Sequence, residues 1–216
     1  MNAVMFDLDG TLADTLKDIH AAANHALVAL EGRRIDLDRC RQLVGRGAAQ
    51  LIRSALETAD EDLVDEGVRR FKAHYDQHGL TFTRPYEGID ALLAELCRRD
   101  VPRVVWSNKP DPAVQQVVRH LFPDSGFSVV RGHRPGPGGH ALKPEPAGAL
   151  AICKDVGIAP AHWLYVGDTE IDMQTAAAAG FFAVGVLWGF RDERELTESG
   201  ARVIIRHPRE VLGLLE

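Results

Sequence analysis

The chain has 216 residues, 45% of them hydrophobic, and a formal net charge of −6. That length suits one large domain or a core with a smaller insertion, and the apolar content is enough for a real core. The acidic balance argues against a general binder of nucleic acid or anionic membranes; no apolar run approaches the ~20 residues of a membrane span; no signal peptide is visible; a cytoplasmic protein is expected. The three cysteines, Cys40, Cys97 and Cys153, are widely spaced in apolar helical patterns and read as buried free thiols of a reducing compartment.

The chain opens on an apolar strand, "AVMF" (3–6), which runs directly into Asp7-Leu8-Asp9-Gly10. From residue 15 the pattern is helical, with Leu16, Ile19, Ala23, Leu27 and Leu30 at helical spacing. "DLDRCRQLVG" starts at a predicted Asp36 N-cap and stops at Gly45. "AAQLIRSALET" and "EDLVDEGVRRFKAHYDQHG" add two more helices, and no strand is expected between residues 16 and 82. After "RPYEGI" (84–89) the texture changes. A helix over "IDALLAELCRR" leads to a strand "RVVW" (103–106), then a helix with Asp111 as N-cap and Pro112 in its first turn. "FSVV" (127–130), a Gly/Pro-rich loop, a helix from about Pro146, "WLYV" (163–166), a helix through "DMQTAAAAG", "FFAVGVL" and a last strand and helix in the tail complete the chain.

Short, wholly apolar strands alternating with helices imply a parallel sheet covered on both faces. The predicted architecture is α/β: a Rossmann-like parallel core over 1–15 and 83–216, interrupted by an all-helical insertion over 16–82. Such an insertion after the first strand lies at the carboxyl edge of the sheet, where open α/β folds bind ligands, and it can serve as a lid.

The strand ends share one regularity. Asp7 and Asp9 follow the first strand, Ser107-Asn108-Lys109 follow "RVVW", and Asp168 with Asp172 follow "WLYV". In a parallel sheet these groups converge on one crevice, together with Lys143 of "KPEP". Several carboxylates in one crevice repel, and one takes up a proton unless a cation intervenes. Oxygen-only ligands point to Mg²⁺, which usually keeps waters and a substrate oxygen. Ser107, Lys143 and backbone N–H groups offer the donors and positive charge that a phosphoryl group needs.

"DLDGTLADT", "WSNK", "KPEP" and "VGDTEID" resemble the four ordered motifs of the haloacid dehalogenase superfamily, over nearly the whole chain. Within it, "VGRG" (44–47), "RPYEGI" and "LWGF" most resemble the phosphoglycolate phosphatases. The resemblance implies a helical cap over 16–82 and a Mg²⁺-dependent phosphatase that forms an aspartyl-phosphate. By position, Asp7 is implied as nucleophile and Asp9 as general acid and base. Asp7, the Asp9 main-chain carbonyl and Asp168 are implied as the Mg²⁺ ligands, with Asp172 in or just behind that set. Ser107 and Lys143 are implied to hold the phosphoryl group, and Asn108 is grouped with them. The retained Asp9 argues against carbon–halogen cleavage, and the cap lysines, Lys17 and Lys72, lie outside "VGRG", which weighs against phosphonate cleavage.

Plainer readings stand beside these. Asn108 also reads as a helix cap, Lys109 as a solvated neighbour, Glu170 as a surface residue, and Asp172 as compensation for a helix dipole. "VGRG" reads either as a helix connector or as the place where Arg46 meets a substrate anion. "RGHRPGPGGHALKP" (131–144) departs from the family's more compact segment; it is rich in Gly and Pro, bracketed by His133 and His140, and a candidate for disorder. The expected partner is a small phosphorylated metabolite, possible substrates being 2-phosphoglycolate, pyrophosphate, a sugar phosphate or a nucleotide. A phosphomutase and a receiver-like phospho-dependent binding module are the alternatives; Asp9 and the long insertion speak against the latter.

Overall fold

The computed structural model describes residues 1–136 and 138–215; Pro137, within the Gly/Pro-rich loop, and the terminal Glu216 lie outside them. The chain forms two compact units, Met1–Ala13 with Pro85–Glu216, and Asp14–Arg84.

The first unit is built on β1 (Ala3–Phe6), β4 (Arg103–Pro110), β5 (Val129–His133), β6 (Trp163–Gly167), β7 (Phe182–Val186) and β8 (Val203–Ile205). They form one sheet in the order β5-β4-β1-β6-β7-β8, and the pairings are parallel. Its helices are α5 (Ile89–Arg98), α6 (Asp111–Leu121), α7 (Ala147–Val156), α8 (Glu170–Ala179) and α9 (Glu193–Glu198). Alternate strand residues explain the apolar runs. Met5, Val104, Trp106, Trp163, Tyr165 and Ala183 pack in a cluster with Ile152 of α7 and Met173 and Ala176 of α8. Val4, Phe6, Val105, Leu164, Val166 and Val184, pointing the other way, are equally buried. The chain winds from β1 outward through β4 to β5, then returns to β6 on the other side of β1. That reversal splays the connections apart and opens a crevice at the carboxyl ends of β1, β4 and β6.

Local details differ from the sequence reading where polar residues occupy regular structure. β4 continues beyond "RVVW" through Ser107-Asn108-Lys109 to Pro110, and its pairing with β5 shifts register between Trp106 and Pro110. Asp111 is the first residue of α6 rather than its cap; its carboxylate accepts from Gly132 N at 2.9 Å and Arg134 Nη2 at 2.8 Å. α9 is too short, with Leu196 as its buried residue, to show a helical period in the sequence. The expected final helix is a 3₁₀ helix, Pro208–Leu214. Cys40 and Cys153 are buried free thiols, whereas Cys97 is exposed on α5.

The second unit holds α1 (Leu16–Ala29), α2 (Leu37–Leu43), α3 (Ala48–Leu56) and α4 (Glu61–His78). Asp36 caps α2 by accepting from Arg39 N at 2.7 Å, and Asp60 caps α4. Asn24 on α1 ties down the loop before α2, exchanging 2.9 Å hydrogen bonds with Ile35 N and O. Asp18, buried on the same helix, accepts from Phe82 N, Thr83 N and the Thr83 hydroxyl. Two-residue strands, β2 (Ala13–Asp14) and β3 (Arg84–Pro85), pair where the chain crosses between the units.

Candidate active site

The crevice at the centre of the first unit's sheet carries the polar strand ends. Asp7 follows β1, and its N–H donates to Val166 O of β6 at 3.0 Å, so the β-ladder itself fixes the start of the loop. The next residues form a tight turn in which the N–H groups of Leu12 and Ala13 donate to Leu8 O, both at 3.0 Å. Asp168 follows β6. Its Oδ1 accepts from Thr11 Oγ1 at 3.0 Å and its Oδ2 from Phe190 N at 2.8 Å. Gly10 and Gly189 lie against this carboxylate, and a Cβ on either would overlap it. Gly10 also has φ +87°, which an L side chain rarely adopts. The glycines of "DLDG" and "LWGF" therefore leave the room that Asp168 occupies.

Asp172 stands in the first turn of α8 and is fully buried. Its Oδ2 accepts from Thr169 N at 3.1 Å and Thr169 Oγ1 at 2.7 Å, while Lys143 Nζ donates to its Oδ1 at 2.7 Å. The same Nζ lies 2.8 Å from Asp7 Oδ1. That second contact is an ion pair by distance only, because Asp7 Oδ1 is buried with no hydrogen-bond partner. Asn108 secures Lys143: its Oδ1 accepts from Lys143 N at 2.7 Å and its Nδ2 donates to Lys143 O at 3.2 Å. The Gly/Pro-rich loop is thus tied at one end by Asp111 to Gly132 and at the other by Asn108 to Lys143. Ser107 is buried beside them, its Oγ accepting from Lys109 N at 3.3 Å.

The sequence reading missed the environment of Lys109. The side chain is not solvated; it is 6% exposed, and Nζ donates to both Asp9 oxygens at 2.9 and 3.1 Å. No apolar pattern marks such a pair; the available signal was its place two residues after Ser107 at the end of a central strand. Glu170 is likewise partly buried, facing Arg191 at 3.3 Å. Arg46 belongs to the second unit. It is exposed in the turn between α2 and α3, flanked by Gly45 (φ +124°) and Gly47 (φ +84°).

One ammonium here faces several carboxylates. Burial raises the Asp7 carboxyl most, Lys143 pulls it back, and the charges of Asp172 and Asp9 add to the rise, which ends at about 7. Burial and the neighbouring Asp172 and Asp7 charges push Asp168 well above the usual carboxylate range. Burial opposes the charge on Lys143, but Asp172 and Asp7 outweigh it and hold the ammonium well above the usual lysine range. Asp7 rises despite the lysine beside it because burial outweighs the lysine's pull. Oxygens of Asp7, Asp168 and Asp172 all lie within 4.8 Å of one another, and all three residues are buried. An all-oxygen set of this density, in which Asp7 and Asp168 are raised by burial and by neighbouring carboxylate charge, fits a hard divalent cation. Asp172 already accepts from Lys143 and Thr169, whereas each Asp168 oxygen accepts one hydrogen bond and retains lone-pair capacity.

The fold and crevice define a class, and comparison with known proteins agrees. The family model for haloacid dehalogenase-like hydrolases matches residues 4–186, and the chain belongs to that family. A phosphoglycolate phosphatase of Neisseria gonorrhoeae is 31% identical over all of this chain and 90% of its own length. An N-acetylmuramic acid 6-phosphate phosphatase of Pseudomonas aeruginosa is also 31% identical, over all of this chain and 95% of its own. The crystal structure of a predicted phosphoglycolate phosphatase from Haemophilus somnus superposes with a TM-score of 0.90 at 26% identity, covering 99% of this chain and 97% of that one. Within the family the protein is a phosphoric monoester hydrolase. No helix among the described residues is long and apolar enough to cross a membrane.

Proposed function

We propose that the protein is a Mg²⁺-dependent phosphatase for a small carboxylated phosphomonoester of the 2-phosphoglycolate type, with Asp7 as nucleophile. The observation that carries this reading is the cluster of Asp7, Asp168 and Asp172, with the buried ammonium of Lys143 against Asp7 and Asp172. An Asp7 oxygen attacks phosphorus and the ester P–O bond breaks. Asp9 gives its proton to the departing alkoxide. Asp9 then takes a proton from the water that attacks the aspartyl-phosphate, releasing inorganic phosphate and restoring the Asp7 carboxylate. Ser107 and Lys143 hold the transferring oxygens, and Asn108 keeps Lys143 in place. Asp7, the Asp9 main-chain carbonyl and Asp168 would hold Mg²⁺, with Asp172 behind them; bound there, the ion offsets the negative charge of carboxylates and phosphoryl group. The helical unit over Asp14–Arg84 is the cap in this reading, and Arg46 supplies a charge-assisted contact to the substrate carboxylate.

A second reading, a sugar phosphate, is favoured by the muramic acid phosphatase, which matches the chain as well as the phosphoglycolate phosphatase does. The test is phosphate release from a panel holding 2-phosphoglycolate, sugar phosphates, nucleotides, pyrophosphate and p-nitrophenyl phosphate, with Mg²⁺ or with chelator. Mg²⁺-dependent release is expected, and Asp7→Asn should abolish it in a folded protein; more than a few per cent of residual turnover would remove Asp7 from its role. Arg46→Ala is expected to raise KM for 2-phosphoglycolate about tenfold, the worth of a ~1.5–3 kcal/mol hydrogen bond to a charged group, and to leave p-nitrophenyl phosphate nearly unaffected. Equal weakening of both substrates, or of neither, contradicts that role.

A further inference from the structure

We propose that Lys109 is a positioning residue that clamps the Asp9 carboxylate where it can exchange a proton with the ester oxygen. The inference rests on the reading of Asp9 as general acid and base. Its support is geometric. Lys109 Nζ donates to both Asp9 oxygens, at 2.9 and 3.1 Å, with the two side chains 6% and 13% exposed. Fixing a lysine side chain costs rotamer entropy, and withdrawing its strongly hydrated ammonium from water is costly unless a partner compensates. A lysine held this way is therefore not incidental. It joins the loop after β1 to the end of β4, two elements 100 residues apart in sequence.

The local backbone prepares the contact. β4 shifts register against β5 between Trp106 and Pro110, the kind of irregularity that re-aims a strand's side chains. Lys109 N donates to Ser107 Oγ at 3.3 Å, which ties the clamp to the buried serine beside it. The crevice thereby gives its two lysines separate tasks. Lys143 faces Asp7 and Asp172 at 2.8 and 2.7 Å, and Lys109 faces Asp9. A general acid must lie within ~2.6–3.2 Å of the atom it serves, and a misplacement of ~1 Å can cost ~100-fold in rate. Asp9 sits in a loop, so a two-point clamp on its carboxylate restricts the rotation that would cause such a misplacement.

The experiment uses the full chain, p-nitrophenyl phosphate and saturating Mg²⁺. Lys109→Met keeps the aliphatic stem and removes the donor; it is expected to lower kcat ~10-fold or more, a part of the ~10²–10⁴ that general acid–base catalysis supplies, with KM little changed. If that variant fails to fold, Lys109→Gln carries the same comparison. Lys109→Ala should regain part of its kcat when ethylammonium is added, which a residue needed only for stability would not do. Lys109→Met added to Asp9→Asn should cost nothing further, because the clamp then has nothing to orient. An unchanged kcat in Lys109→Met, a loss confined to KM, or full additivity with Asp9→Asn overturns the inference. Full kcat in Asp9→Asn is a different outcome: it overturns the acid–base reading itself, and the clamp with it.

Discussion

Asp168 illustrates how little freedom a residue of this site has. Thr11 and Phe190 N each donate to one of its oxygens, and Gly10 and Gly189 close on either side. The Thr11 main-chain oxygen in turn accepts from Trp188 Nε1 at 2.9 Å, so the "LWGF" segment steadies the first loop as well as the carboxylate. Gly189→Ala places a methyl group where Asp168 and Gly10 O already stand. Part of that obstruction is backbone, which cannot swing aside as a long side chain would. The expected outcome is a folded protein whose kcat/KM falls ~100-fold, in line with a ~1 Å displacement at a reacting centre. Steady-state kinetics on p-nitrophenyl phosphate check it; wild-type kinetics would show that the segment yields easily.

At the scale of elements, two helices carry polar residues in unlike roles. Asp172 opens α8, where a carboxylate suits the positive end of the helix, and it also anchors Lys143. The dipole reading and the site reading of Asp172 thus describe one carboxylate with two oxygens. On α1, Asp18 has no part in the proposed chemistry. It is 3% exposed and accepts from Phe82 N, Thr83 N and Thr83 Oγ1 at 2.9, 2.8 and 2.8 Å. Asp18→Ala leaves Phe82 N and Thr83 N without their acceptor, while the Thr83 hydroxyl keeps Gly79 O at 3.0 Å, and since one unsatisfied buried group costs ~1–3 kcal/mol the loss should reach about 3 kcal/mol. Urea or thermal unfolding measures it. A loss below ~1 kcal/mol would mean that water replaces the carboxylate and that this anchor contributes little.

For the molecule as a whole, the charged crevice sets a pH dependence that metal should reverse. Asp7 titrates near 7 in the folded chain against an ordinary 3.8, and Asp168 is raised too. A carboxyl raised on folding contributes stability that is complete below its ordinary value and is lost as pH climbs through the raised value. The metal-free protein therefore gives up stability at this site between about pH 4 and pH 7. In the proposed reading Mg²⁺ needs the ionised carboxylates and competes with these protons, so its stabilising effect should grow with pH. The gain in Tm from Mg²⁺ over chelator is expected to be larger at pH 8 than at pH 6, and the Mg²⁺ concentration for half-maximal activity should rise below about pH 7. Taking the difference between metal and chelator removes the opposite trend of carboxylates lowered by arginine, such as Glu95 beside Arg98 and Arg99. A gain independent of pH contradicts the assignment.

The amino-acid sequence by itself determined the parallel sheet, the helices of both units apart from the short α9 and the 3₁₀ form of the tail, and the convergence of Asp7, Asp9, Ser107, Lys143 and Asp168. The reason is local: wholly apolar runs, helical periods and caps such as Asp36 act over a few residues, and parallel strands bring their carboxyl ends to one edge. Tertiary structure decided what depends on neighbours distant in sequence. Polar Ser107, Asn108 and Lys109 stay within β4, in the irregularity between its Trp106–Arg131 and Pro110–His133 pairings with β5. Asn108 turned out to clamp the main chain of Lys143, Asp111 to bind the far side of a loop rather than cap its helix, and Lys109 to face Asp9 rather than water. Each of these partners lies 21 to 100 residues away, and a polar side chain carries no sign in sequence of which distant group will complete its hydrogen bonds once water is excluded.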